Sequence, residues 1–515
     1  MSSKKKTIVN VISSVMVLII NVVISFFLSP YVVKHIGVAA NGFVTLANNF
    51  VSYASLIVLA LNSMAARYIT LSYVQKDYKK ANVYYNSVFW GNLIIVAVLL
   101  LPAVVFIAFM EKIVDIPADI VWDVKLLFSF IFLDFFLTTG FPNWDCGTYV
   151  SNRLDRLYIP KMVTALMRCA VIFVAMTVLT PRVWYVGLAA TVMTVLNLAV
   201  AGYNTHVLTP ELRVGLTKEK RICSKKAIYE LVGNGMWNAI SSVGNMLLSG
   251  LDLMICNIAI DSTAMGVVSL SKIIPNYMQQ LSSSIRNAFS PELTINYAKG
   301  DHEALLKDMS RAMKLTSIVL TVPIAVIVVL GDRFFALWVP SQDAQLLQKL
   351  SVLAILGYMF TSGTQILYNV FTTVNKVKEN SIAMIISGLV STTITLLMVN
   401  FTNYGIYAVA GVSTFVNLMR NMTFTVPATA KYLGYKWYQF FPQVITTVIS
   451  SIVIILVGMI IKRFLPDRSW FDFIIAAAVI GIVGLAFNIF IMLNRSERTY
   501  LYTKIKSKLC FFNKT

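Results

Sequence analysis

Ionisable side chains stand inside long apolar stretches of this sequence. Asp134 and Arg168 fall near the middle of consecutive apolar segments, and Asp252 and Lys272 sit at matching depth in two more. Arg286, Arg67 and Arg420 lie nearer segment ends. A charge at the centre of a bilayer costs about 2.5–3.5 kcal/mol on insertion scales, so each needs a partner or a task. Lysine and arginine sunk in an apolar wall can replace the hydration of an anion with charge-assisted hydrogen bonds. The candidate cationic lining is Lys272, Arg286, Arg168 and Arg67. Asn48, Asn62 and Asn245, with Gln279, Gln280 and Tyr277, are suited to hydroxyl groups. Asp134 and Asp252 are the candidates for proton or sodium coupling. Lys272 and Arg286 are 14 positions apart, nearly four turns, so one straight helix would carry them on one face. Against these stand plainer expectations. Asp134 with Arg168, and Asp252 with Lys272, can simply neutralise each other. Arg286 and Arg67 can snorkel to the headgroups.

Other chemistry is missing. The chain has no GxxxxGK[ST] phosphate loop and no HExxH. His35, His206 and His302 are scattered, and the five cysteines form no CxxC pair. The sequence therefore points to no cofactor, no metal and no enzyme. A membrane polysaccharide polymerase or ligase is the rival class, but such enzymes carry a large outer loop with catalytic residues. Every outer loop here is short.

The elements that must position these residues follow from composition. Of 515 residues, 57% are apolar and 13% charged, with a mean hydropathy of +0.74. Soluble proteins run to about 25% charged. The expectation is an all-α polytopic membrane protein of about 14 transmembrane helices. Their approximate limits are 7–30, 38–66, 84–109, 121–143, 158–180, 183–206, 228–258, 262–290, 312–336, 346–373, 379–400, 404–429, 440–463 and 472–494. The net charge of +20 reflects short basic loops rather than nucleic-acid binding. With the N-terminus inside, inner segments hold roughly 30 Lys/Arg against about 9 outside. Both termini are then cytoplasmic. One outer loop disobeys, with Lys462, Arg463 and Arg468.

Shifting the chain by 224 positions overlays it on itself. IGVAANGFVTLAN (36–48) falls on IDSTAMGVVSLSK (260–272), and SYVQKDYKKA (72–81) on NYAKGDHEAL (296–305). Gly42 meets Gly266, and Asp77 meets Asp301. With small gaps, SNRL (151–154) matches VNKV (374–377). The unit is six spans, an even number, so both copies enter the membrane in the same sense. The expected organisation is two parallel six-helix bundles, 1–206 and 228–432, joined by a basic cytoplasmic linker, 207–227. Two extra helices (433–494) and a basic cytoplasmic tail (495–515) follow.

On this organisation, and on SPYVVKHIGVAANGFVTLANNF with Arg67 and NAFSPELTINYAKGD (287–301), the chain resembles the multidrug/oligosaccharidyl-lipid/polysaccharide exporter superfamily. Within it the likeness is to the polysaccharide transporters, the Wzx-type flippases. The resemblance implies alternating-access translocation of polyprenyl-diphosphate-linked oligosaccharide from the inner to the outer leaflet of a bacterial cytoplasmic membrane. It implies a role in capsule, O-antigen or exopolysaccharide synthesis, with polymerase and glycosyltransferases as partners beside the membrane lipids. A cation-coupled multidrug exporter shares the architecture; a cationic rather than acidic lining separates the two.

Overall fold

The computed structural model describes residues 3–151, 153–215, 224–466 and 469–499. The described chain is all-helical and forms two compact units. The first comprises 1–270 with Met384–Leu389; the second comprises Ser271–Ala383 and 390–515.

The first unit is built on α1 (Ser3–His35), α2 (Val38–Val74), α3 (Tyr78–Phe109), α4 (Val121–Gly140), α5 (Cys146–Val150), α6 (Asp155–Val178) and α7 (Trp184–Leu208). It continues through α8 (Lys225–Asn245), α9 (Asp252–Ala259) and α10 (Ser262–Ser271). Lipid tails are as apolar as leucine, so close backbone approach and polar contacts must hold such helices together. Gly42 supplies the approach. A Cβ there would lie 2.9 Å from the Cα of Gly266, its own counterpart in the repeat. Beside them, Asn41 Nδ2 donates to Ser269 Oγ at 3.1 Å. The loop after α3 seals the same end. Asp115 and Asn257 exchange two backbone–side-chain hydrogen bonds, and the Asp115 carboxylate accepts the Ser262 N–H at 3.0 Å. At the opposite end, Asn82 and Asn86 stand one turn apart on α3. Their side-chain amides bond the backbone of Glu211, Arg213 and Gly215, pairing with alternate residues as a neighbouring strand would. Nearby, the Tyr73 hydroxyl donates to Glu211 at 2.5 Å and holds that carboxyl below its ordinary range.

The second unit holds α11 (Ile273–Ala298), α12 (His302–Trp338), α13 (Ala344–Ile355), α14 (Tyr358–Thr361), α15 (Tyr368–Thr373) and most of α16 (Val377–Phe401). After these come α17 (Ile406–Arg420), α18 (Val426–Tyr432), α19 (Phe441–Lys462) and α20 (Trp470–Met492). The last two pack on α12 through Asn488, which is fully buried. Its side chain donates to the Ile318 carbonyl and the Thr321 hydroxyl and accepts from Ser450. An asparagine in mid-span is affordable when all its hydrogen bonds are met.

A helix occupies each of the fourteen expected positions. Among the described residues, nine are long and apolar enough to cross a membrane, or ten when the pair around Leu251, bent by 42°, is one span. The difference has local causes. The fourth segment carries Asp123, Lys125 and Asp134. The eighth is interrupted at Lys272. Proline at 275 has no N–H for the Ser271 carbonyl, and the Ser351 hydroxyl takes that carbonyl at 2.6 Å instead. The tenth contains a 3₁₀ stretch, Gly363–Leu367, and the twelfth a π-turn, Asn421–Thr425.

The repeat is visible in bond-for-bond detail. Asp77 accepts the Lys80 N–H at the start of α3, and Asp301 accepts the Ala304 N–H at the start of α12. Lys76 and Gly300, 224 positions apart, both take positive φ, 63° and 71°. Asp77 N–H bonds Ser72 O, and Asp301 N–H bonds Asn296 O. Likewise, Arg153 N–H bonds Thr148 O while Lys376 N–H bonds Phe371 O. The disobedient Lys462 is also accounted for, because it pairs with Asp332 at 2.7 Å. At the ends that loop charge assigns to the outside, Lys125 pairs with Glu111 and Arg182 with Asp123.

Candidate functional site

The first unit brings Asp134, Arg168 and Thr194 together from α4, α6 and α7. Asp134 takes a side-chain hydrogen bond from Thr194 and faces the charge of Arg168. One oxygen of Asp134 and the Nε of Arg168 are sealed from solvent with no hydrogen-bond partner. The pair is held mainly by charge, and opposite charges in a low-dielectric wall attract strongly enough for that. Asp252 also lies here, 4% exposed, directly after a π-turn, Met246–Gly250. It is in electrostatic contact with Tyr53 of α2, whose hydroxyl donates to the Gly250 carbonyl.

The expected polar stripe on α2 is partly turned onto the protein itself. Asn48 is exposed and bonds the Val44 carbonyl of its own helix at 2.7 Å. Asn62 accepts from Asn92 at 3.0 Å. Asn245 ends α8, half-buried, at the edge of the π-turn. Arg67 is on α2, and its side chain lies outside the described residues.

In the second unit, Lys272 occupies the turn between α10 and α11 rather than a straight helix. The shared face expected for Lys272 and Arg286 is therefore not there, because Pro275 breaks the register between them. Lys272 and Asp252 each have partners. Arg286 is different. Its guanidinium carbon lies 5.8 Å from the centre of the Tyr368 ring, and among the described residues it has no carboxylate partner. Arg420 approaches the same ring at 5.3 Å, is 6% exposed, and donates to the Tyr368 hydroxyl and to Asn417 Oδ1 at 2.8 Å. The Tyr368 hydroxyl donates onward to Asn421 Oδ1 at 2.8 Å. Next to it, Asn369 donates to the Arg286 carbonyl at 2.9 Å. Arginine over an aromatic face is attracted by the ring quadrupole, so Tyr368 gathers two cations from different helices.

Sequence reasoning noticed Arg420 but missed Tyr368, Asn417, Asn421 and Asn369. One signal was available. Asn417, Arg420 and Asn421 follow an i, i+3, i+4 pattern inside an apolar span, which puts three polar groups on one face. No metal-ligand cluster of three or more His, Cys, Asp or Glu occurs among the described residues.

The fold is that of the transporters of the multidrug/oligosaccharidyl-lipid/polysaccharide superfamily. The chain superposes on the lipid II flippase MurJ in an inward closed conformation with a TM-score of 0.63. The two share 12% identity, over 93% of this chain and 98% of that one. It also matches an inward-facing multidrug resistance MATE transporter of that superfamily, at TM-score 0.58 and 12% identity over 80% and 98%. A third match is a superfamily transporter from Pyrococcus furiosus with a binding pocket of reverse polarity, at TM-score 0.61 and 12% identity over 84% and 96%. In sequence, the chain is similar to the uncharacterized membrane protein EpsK of Bacillus subtilis (strain 168). The two are 23% identical over 502 residues, 97% of this chain and 98% of the relative. No protein-family model matches. The chain is thus a multi-pass membrane protein with a transporter fold.

Proposed function

We propose that the protein is a flippase that carries polyprenyl-diphosphate-linked oligosaccharide from the inner to the outer leaflet by alternating access. The observation that carries this reading is Arg286, a cation within a membrane span that has a tyrosine ring beside it and no carboxylate among the described residues. A cation exporter would gain nothing from such a group. A diphosphate headgroup, unable to shed its water into hydrocarbon, gains a charge-assisted replacement for that water. The likeness of fold to a lipid II flippase supports the substrate class. The bonds that recur at 72–77 and 296–301 support a division into repeat copies 1–206 and 228–432, linked by 207–227. The reading places the protein in a bacterial cytoplasmic membrane with both termini inside. Its work would feed polysaccharide assembly, beside polymerase and glycosyltransferases. Lys272, Arg168, Arg67 and the asparagines Asn48, Asn62 and Asn245 complete the proposed path.

A coupled cycle would run through Asp134 or Asp252; flux in vesicles indifferent to ionophores excludes it. The decisive test replaces Lys272 and Arg286 together by Gln in a complemented deletion strain. Surface polysaccharide should be lost at normal protein level. Unchanged display overturns the reading.

A further inference from the structure

The second unit contains more cationic architecture than Arg286 alone requires. Tyr368 is delivered by a helix that tightens into a 3₁₀ stretch at Gly363–Leu367 immediately before it. Arg420 is delivered by a helix that widens into a π-turn at Asn421–Thr425 immediately after it. Irregular backbone at membrane depth survives only where protein buries it or a polar cavity borders it, and π-turns recur at functional sites. Two independent distortions therefore converge on one ring. That ring holds two guanidiniums, at 5.8 and 5.3 Å from its centre. Like charges brought together in a low-dielectric wall repel. The repulsion is worth building in only where an anion enters to offset it.

We propose that Arg286, Tyr368 and Arg420 form a binding site for the diphosphate of a lipid-linked anion. The proposal rests on the flippase reading and names where its substrate is held. Guanidinium forks match phosphate oxygens two at a time. Two forks on one rigid spacer suit two adjacent phosphoryl groups better than a single carboxylate. Tyr368 is a positioning residue: its hydroxyl fixes Arg420 and is itself fixed by Asn421. Asn369 does the same for Arg286 by gripping its carbonyl. All three site residues lie toward the ends of their spans that loop charge assigns to the cytoplasm, where a substrate assembled inside would first arrive.

The test uses the full chain in nanodiscs and measures binding of polyprenyl diphosphate, inorganic pyrophosphate and phosphatidylglycerol. Polyprenyl diphosphate should bind at least tenfold tighter than either of the others. Arg286→Gln and Arg420→Gln should each weaken it at least tenfold. Tyr368→Phe, which keeps the ring, should weaken it about threefold. Should Arg420→Gln fail to fold, Arg420→Lys keeps the charge, removes the fork, and should still lose most of the tenfold. Equal binding of phosphatidylglycerol, or of free pyrophosphate, overturns the assignment to a lipid-borne diphosphate. Unaltered binding in folded Arg286→Gln and Arg420→Gln proteins overturns the site but leaves the flippase reading standing. A wild-type chain that does not restore surface polysaccharide to a deletion strain overturns the reading itself.

Discussion

Arg168 in the first unit and Arg286 in the second are both half-buried within membrane spans, yet their surroundings are opposite. Arg168 faces Asp134, with Thr194 completing the carboxylate. Arg286 faces the Tyr368 ring, with a second guanidinium on the same ring. The first arrangement is electrically complete and asks nothing of a ligand. The second leaves positive charge standing in an apolar wall. The same residue type thus serves as mortar in one place and as bait in the other, and only the neighbours distinguish the two uses.

The contrast can be broken most forcefully at Asp134. Asp134→Asn leaves Arg168 without its counter-charge and should cost about 3 kcal/mol, read as thermal unfolding in detergent. Adding Arg168→Gln should recover most of it. A double variant no more stable than Asp134→Asn would show that the two charges are not coupled. Asn421→Leu should cost about 1–2 kcal/mol by stranding the Tyr368 hydroxyl, which a neutral-partner cluster predicts and an ion-pair cluster does not. Arg286→Gln should lose only the cation–π attraction, about 0.5–1 kcal/mol. A larger loss would mean that Arg286 is mortar after all. The smallest effect is expected at the half-exposed pair Lys462–Asp332. There Lys462→Gln should cost about 0.5 kcal/mol, and the difference should vanish in high salt.

The helical positions were legible because apolar runs of spanning length leave little choice in lipid. The repeat was legible because Asp77 and Asp301 perform the same capping task, which a change of residue would abolish. The break at Lys272 was not. Pro102 and Pro323 sit inside continuous helices, so a proline does not announce an interruption. What decided it at Pro275 was a hydroxyl, Ser351, 80 positions from the carbonyl it accepts responsibility for. The Arg286–Tyr368–Arg420 cluster was hidden for the same reason. Its members meet only after three separate helices pack, and Tyr368 looks like any aromatic in an apolar run. Lys462 misread the sidedness rule because its counter-charge, Asp332, is 130 positions away.

The meeting of Gly42 with Gly266 reaches back before the present chain existed. If the two halves descend from one six-helix ancestor working as a pair, this was once a single glycine pressed against its own copy. A mutation there would have struck both sides at once, doubling any clash. Fusion of the gene removed that constraint, and Asn41 bonded to Ser269 shows two formerly identical faces already specialised for each other.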